Sequence, residues 1–379
     1  MRRCPACRGG VWRPFFNSRT GRLMTGDQRV GDGDLAKIIC ATCGVVANRD
    51  PFDQRAIEFL YGEAYELNTL GREEHVYFTP AGPVARSQAF CDWIAPYVAT
   101  STRRLVEIGC GEGNLLSRLH SRFPAVECYG IDGSRRAAEL GAAKGLAIRQ
   151  QLLGQEALPD ADVFLLVNVI EHLEDIPGVI SQLRAALRPS GRIIFCLPIQ
   201  DYGGYDMFFA EHVWHFTADH FRAVAANAGL QIVASETTHP IHHGIGLFVC
   251  TADEAIPAAE APQDQSALQF QHLQYWEQAF RRVDEWCRTQ ARARLAVFGA
   301  GEVFTLFQAF TALGECNIVA CIDDTKPAGA TKHGVPVYPT DWLVTHHVDT
   351  VVLAVNRKYH DLIRDKVRPY GAVVYPLVT

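Results

Sequence analysis

The stretch Leu105–Leu119, LVEIGCGEGNLLSRL, decides the fold. A short apolar strand carrying the acidic Glu107 runs into three alternating glycines, Gly109, Gly111 and Gly113, and then into the start of a helix. Glycine lets the chain turn tightly and approach a ligand with no Cβ in the way, while the free amides at the helix start face whatever binds there. The segment CYGID follows as a second apolar strand ending in Asp132, where a carboxylate can accept both hydroxyls of a ribose. Further on, DVFLLVNVIEHL reads as a buried strand opening into a loop at Asn168, and GRIIFCLP as another strand after a turn at Pro189 and Gly191. Strands alternating with helices predict an α/β domain around a parallel sheet, with a nucleoside cofactor at its glycine-rich turn.

The order and spacing of these motifs resemble those of the class I S-adenosylmethionine (SAM)-dependent methyltransferases over roughly Val84 to Cys250. The resemblance implies a Rossmann-like core in which Glu107 lies beneath the methionine side of the cofactor. It also implies that Gly109 and Gly111 pass under the cofactor's body, that Asp132 holds its ribose, and that Gly113 and Asn168 are further cofactor-binding residues. A dinucleotide-binding unit is the competing reading. That fingerprint requires G-x-G-x-x-G, whereas Asn114 and Leu115 follow the third glycine here.

A chain of 379 residues is two to three times the usual domain size of ~150, so several domains are expected. Its 48% hydrophobic and 21% charged residues are globular values. A net charge of -6 supplies no basic field for nucleic acid, so a small-molecule substrate is favoured over RNA or DNA. No secretory leader and no run near the ~20 apolar residues of a membrane span is visible, which predicts a cytoplasmic protein without a membrane partner. No obligate protein partner is evident in the sequence.

Four of the twelve cysteines stand apart. Cys4 and Cys7 form one Cys-x-x-Cys knuckle in CPAC, and Cys40 and Cys43 a second in CATCG. Each pair can place two thiolates on one side of a turn, and two such turns complete the tetrahedron that zinc prefers. With all four positions filled by protein, the zinc would be structural. The long loop between the knuckles is expected to form strands of its own. Redox Cys-x-x-Cys pairs are the alternative, disfavoured because neither knuckle heads a helix after a strand. The other eight cysteines lie in apolar segments and read as core.

Residues 251–267 change to small and polar text with two prolines and read as a linker. An amphipathic helix is expected over Leu268–Ala293, followed by a second strand–helix alternation. Gly299 and Gly301 with Asp323 and Asp324 imitate a nicotinamide-cofactor site, but Phe304 fills the place of the third glycine. A Rossmann-like domain that braces its neighbour is therefore preferred to independent NAD binding. The expected organisation is a zinc-binding domain and lid segment at 1–80, a methyltransferase core at 84–250, a linker at 251–267 and a Rossmann-like domain at 268–379.

That three-part order resembles the zinc-containing C-methyltransferases that act on nucleotide-linked ketosugars. The family's catalytic segment, Y-D-x-I-Y-H-E-H-x-x-Y-F, stands here as Tyr205 to Phe216, with Phe209 and His215 where the family has tyrosines. The resemblance implies that His212 is the base that removes a proton beside a ketone, with Glu211 orienting it or the sugar, since carbon must be deprotonated before it can take a methyl. Phe209 cannot donate to the developing enolate, which leaves Tyr205, Tyr202 or His215 for that task. His172, beside Glu171 in NVIEHLED, is expected to face the acceptor, and His242 and His243 to form a loop at the end of the core. Tyr77, with Tyr61 and Tyr65 behind it, is the candidate for a tyrosine lid. An O- or N-methyltransferase of another natural-product intermediate, and a non-catalytic zinc and Rossmann interaction module, are the other readings the sequence leaves open.

Overall fold

The computed structural model describes residues 2–18, 20–50, 74–79, 82–154, 156–252, 260–327 and 329–379. Tyr61 and Tyr65 lie outside these residues. The chain forms two compact units. One holds Met1–Phe15, Lys37–Met207 and Glu211–Gln269, and the other Phe16–Ala36, Phe208–Ala210 and Phe270–Thr379.

The core of the first unit is a seven-stranded sheet: β1 (Arg104–Ile108), β2 (Glu127–Asp132), β3 (Ala147–Gln150), β4 (Ala161–Val167), β5 (Leu187–Pro198), β6 (Leu230–Glu236) and β7 (Ile245–Ala252). Their order is β3-β2-β1-β4-β5-β7-β6. The first five strands run parallel, while β7 is antiparallel to both β5 and β6. A dinucleotide-binding doubly wound sheet has the order 3-2-1-4-5-6, so the strand inserted between β5 and β6 separates this fold from that one.

The middle strands are apolar on both faces because helices cover both sides, and six of the seven residues of β4 are buried. Helices α1 (Arg86–Ile94), α2 (Asn114–Arg122), α3 (Arg135–Ala143), α4 (Ile176–Ala186) and α5 (Ala218–Asn227) supply that cover. Their starts are chemically marked: Ser134 accepts from Ala137 N, Asp175 from Gly178 N, and Thr217 and His220 form a reciprocal capping box. The turn expected at Pro189 and Gly191 is absorbed into β5. Ala161 pairs with Leu187 but Val163 with Arg192, so the extra residues bulge out beside Ser190, whose φ is +63°.

In the same unit, Ala36–Cys40 and Val46–Asn48 pair antiparallel, and Trp214–His215 adds along Val46–Asn48. Strands do occur between the knuckles, at Trp12–Asn17 and Ala36–Cys40 and, as a pair within the second unit, at Arg22–Met24 and Val30–Asp32.

The second unit is a six-stranded sheet of β8 (Leu295–Phe298), β9 (Ile318–Ile322), β10 (Thr331–Lys332), β11 (Val335–Tyr338), β12 (Thr350–Leu353) and β13 (Val373–Pro376), in the order β10-β11-β9-β8-β12-β13. Only β10 is antiparallel to its neighbour. The expected amphipathic helix is observed at Ser266–Thr289, and a turn that bonds Gln290 N to Cys287 O delivers the chain to β8. Phe208 lies within this unit, its ring 5.3 Å from those of Phe16, Phe280 and Phe310. Phe209 bridges Met24. No described helix is long and apolar enough to cross a membrane.

Candidate active site

The carboxyl ends of β1, β2 and β4 meet at one edge of the first sheet, where ligands of open α/β folds bind. Gly109, Gly111 and Gly113 have φ of +68°, +53° and +78°, in the left-handed region that side chains avoid. A Cβ on Gly109 would stand 2.5 Å from Cγ2 of Val169, so this turn touches the loop after β4 directly. Asp132 Oδ2 accepts from Gly111 N at 2.7 Å and Oδ1 from Ser134 N at 2.8 Å. Burial raises the Asp132 pKa, and these two amides oppose the rise while leaving each oxygen a lone pair for a ribose hydroxyl. Glu107 is buried with Oε2 lacking a hydrogen-bond partner. Burial pushes it up to about 8, against the Arg86 charge.

Asn168 takes φ +53° at the end of β4, donates its amide to Cys196 O at 2.8 Å, and keeps a buried Oδ1 without a partner. Orphaned buried polar atoms in a native fold call for a partner. Glu107 Oε2 and Asn168 Oδ1, beside a glycine cradle and a presented carboxylate, fit a nucleoside cofactor bearing a polar amino-acid end. Arg86 carries no sequence signal. Its guanidinium lies 4.7 Å over the Phe90 ring, and its charge reaches both Glu107 and Glu171.

The next cluster is built by the turn Ile170–His172 and the segment 205–216. His172 and His212 meet edge to face with centroids 4.5 Å apart. Glu171, 1% exposed, has no hydrogen-bond partner on either oxygen, and Oε1 stands 4.0 Å from His172 Nε2. Burial pushes Glu171 up to about 8, opposed by His212, and lowers His172 well below its ordinary value. Ligand atoms of Glu171, His172 and His212 lie within 4.8 Å of one another, so this trio could also approach a cation.

The group that orients His212 is Asp206. Its Oδ1 bonds His212 Nδ1, and its Oδ2 lies 2.6 Å from His215 Nδ1 and 3.0 Å from Gln200 Nε2. The far nitrogen of His215 is 2.8 Å from Lys37 Nζ, which also donates to His212 O at 3.2 Å. Burial lowers His212, but the Asp206 charge and hydrogen bond outweigh it and raise the imidazole to about 9. Burial takes His215 down to about 4 and Lys37 to about 7, while the two imidazoles overcome burial to hold Asp206 far below the usual carboxylate range. Glu211 is buried and acts on His212 and Lys37 through its charge. Tyr205 directly precedes Asp206 and is half-buried.

His215 is fully buried with both ring nitrogens engaged, so it is not free to donate to an acceptor. The donors remaining from the sequence reading are Tyr205 and Tyr202, the latter 42% exposed. Tyr77 stands edge to face with His242 at 5.2 Å. His242 in turn lies on Phe90 at 3.9 Å and on Trp93 at 4.9 Å, while the His243 ring is 5.3 Å from that of Tyr202.

Cys4 Sγ is 3.6 Å from Cys43 Sγ and Cys7 Sγ 3.5 Å from Cys40 Sγ, and all four sulfurs lie within 4.8 Å of one another. Disulfides would require about 2 Å. Thiolates at ~2.3 Å from one tetrahedral ion would stand about 3.8 Å apart, so these four could hold a metal.

Residues 85–235 match a family described as "Methyltransferase domain". The chain is 28% identical over 169 residues to the tRNA N(3)-cytidine methyltransferase METTL2 of Xenopus tropicalis, covering 36% of this chain and 49% of that protein. It is 31% identical over 113 residues to a ubiquinone biosynthesis O-methyltransferase of Ralstonia nicotianae, covering 27% and 47%. Against a trans-aconitate 2-methyltransferase of Mycolicibacterium gilvum it is 28% identical over 124 residues, covering 32% and 48%. The chain thus spans about half the length of these curated relatives. Among solved structures, magnesium protoporphyrin IX methyltransferase (ChlM) from Synechocystis PCC 6803 with bound SAH overlaps at a TM-score of 0.37 and 16% identity, covering 44% of this chain and 82% of that one. The family match, the strand order and the glycine cradle with Asp132 define residues 85–235 as a class I SAM-dependent methyltransferase domain.

Proposed function

We propose that the protein transfers a methyl group from SAM to a small molecule, with His212 Nε2 removing the acceptor's proton. The observation that carries this is the Asp206–His212 bond. A carboxylate on Nδ1 fixes the neutral imidazole as the Nδ1–H tautomer and leaves Nε2 as the basic atom. Glu107, the three glycines, Asp132 and Asn168 would hold the cofactor, which supplies an electrophilic methyl when bound. His212 Nε2 would take the acceptor's proton and leave on the acceptor the electron pair that replaces the methyl's bond to sulfur, whose own pair would stay with the demethylated cofactor.

Carbon as the methylated atom, in a nucleotide-linked keto-deoxysugar, is supported by the Tyr205–Phe216 segment and by the order of knuckles, core and second α/β unit. The four thiolates of Cys4, Cys7, Cys40 and Cys43 would bind a structural zinc. Heteroatom methylation is the second reading, favoured by Phe209, which offers no hydroxyl to an enolate. The deciding experiment incubates the protein with carbon-13 methyl SAM and TDP-linked keto-deoxysugars and reads the product by NMR. A methyl bonded to carbon, lost in His212→Ala, supports the ketosugar reading; a methyl on oxygen or nitrogen, or no transfer by a protein that binds SAM, rejects it.

A further inference from the structure

Lys37 is a buried lysine in the first unit that the reaction above does not use. It is 1% exposed, on the strand leading into the second knuckle, and 178 residues from His215 in sequence. Lys37 Nζ, as ammonium or as amine, can give a hydrogen to His215 Nε2 at 2.8 Å. His215 must then carry its own proton on Nδ1, which stands 2.6 Å from Asp206 Oδ2. The other Asp206 oxygen is thereby left to His212. Lys37 Nζ also donates to His212 O, and Asp206 Oδ2 also accepts from Gln200 Nε2, so the line is held at both ends.

We propose that Lys37 is a positioning residue for His212: by fixing the tautomer of His215 it orients Asp206, which holds His212 with Nε2 turned to the acceptor. The proposal rests on the reading of His212 as the base. The groups facing His212 are Asp206, Glu171, Glu211, His172 and His215, with Lys37 behind His215 and Arg86 acting on Glu171. Removing the Lys37 donor from Nε2 frees His215 to take a second proton beside Asp206. It would then share the carboxylate's charge that otherwise belongs to His212, and His212 becomes less basic.

The test uses the full chain with nitrogen-15 histidine, the two ring signals being assigned from His212→Gln and His215→Gln. In the native protein His215 should remain the neutral Nδ1–H tautomer from pH 6 to 9. In Lys37→Met it should become protonated or lose that tautomer, and the His212 midpoint should fall by about one pH unit, while Lys37→Arg restores both. Unchanged His215 and His212 signals in folded Lys37→Met overturn the proposal. Should Lys37→Met not fold, the His215 substitutions decide. Gln can accept from Lys37 and donate to Asp206, so His215→Gln should keep the native His212 titration and His215→Leu should not; equal titration in both overturns it. The readout needs no methyl transfer, so an inert enzyme with native ring signals would count against the base reading and not against the hydrogen-bond line from Lys37 to His212.

Discussion

Asp206 Oδ2 lies 2.6 Å from His215 Nδ1 while its other oxygen bonds His212 Nδ1, so one buried carboxylate fixes two imidazoles of a single segment. Asp206→Asn keeps the shape but removes the charge and can no longer accept from both rings. Methyl transfer should fall by ~10²-fold or more, the scale of a misplaced general base. SAM affinity, measured by calorimetry, should stay within about threefold, because the Asp132 site is built by other loops. Parallel losses of both would show that Asp206 only maintains the fold.

The rate should depend on pH through His212. Its midpoint is raised to about 9, so in the resting protein it is protonated at neutral pH and must lose that proton before it can serve as a base. kcat/KM should therefore climb with pH and be half-maximal near 9, rather than near the ordinary ~6.5 of histidine. A plateau already reached at pH 7 would contradict the assignment. The stability linked to the same proton has the opposite sign: it is complete below the unfolded value of ~6.5 and lost as pH rises through about 9.

Gly109→Ala places a Cβ where φ is +68° and Cγ2 of Val169 lies 2.5 Å away. The left-handed backbone alone costs about 1–2 kcal/mol, and Val169 must also shift. SAM affinity should drop at least about tenfold, since ~1.4 kcal/mol corresponds to that factor. A calorimetric Kd unchanged from that of the native protein would remove Gly109 from the cofactor site.

The knuckles should bind one zinc per chain, measured by mass spectrometry of the metal. Cys40→Ser or a strong chelator should release it and lower the melting temperature on the order of 10 °C, because structural zinc contributes many kcal/mol. Thiols with no metal and an unchanged melting temperature in Cys40→Ser would reject zinc binding.

The strand, glycine turn and acidic strand end proposed to hold the cofactor were legible because each is a local feature of the chain. Glu107, the three glycines and Asp132 occupy a strand, a turn and the end of the next strand, and short-range geometry alone brings them together. His172 and His212 were legible through their motifs, and the structure brings their rings to 4.5 Å. Asp206 was visible in the text but hidden by Glu211. Adjacency in sequence pointed to Glu211 as the group that orients His212, whereas the carboxylate that bonds Nδ1 is that of Asp206, six residues earlier.

The sequence by itself determined the alternation of strands and helices, the glycine cradle and the two knuckles, since each is a property of consecutive residues. Only the tertiary structure decided that Lys37 stands against His215, that His215 is occupied on both nitrogens, and that Glu171 is buried without a partner. Those relations join residues up to 178 positions apart. No local preference of the chain encodes them. They exist because packing the sheet closes such loops and then forces each buried polar atom to find, or lack, a partner.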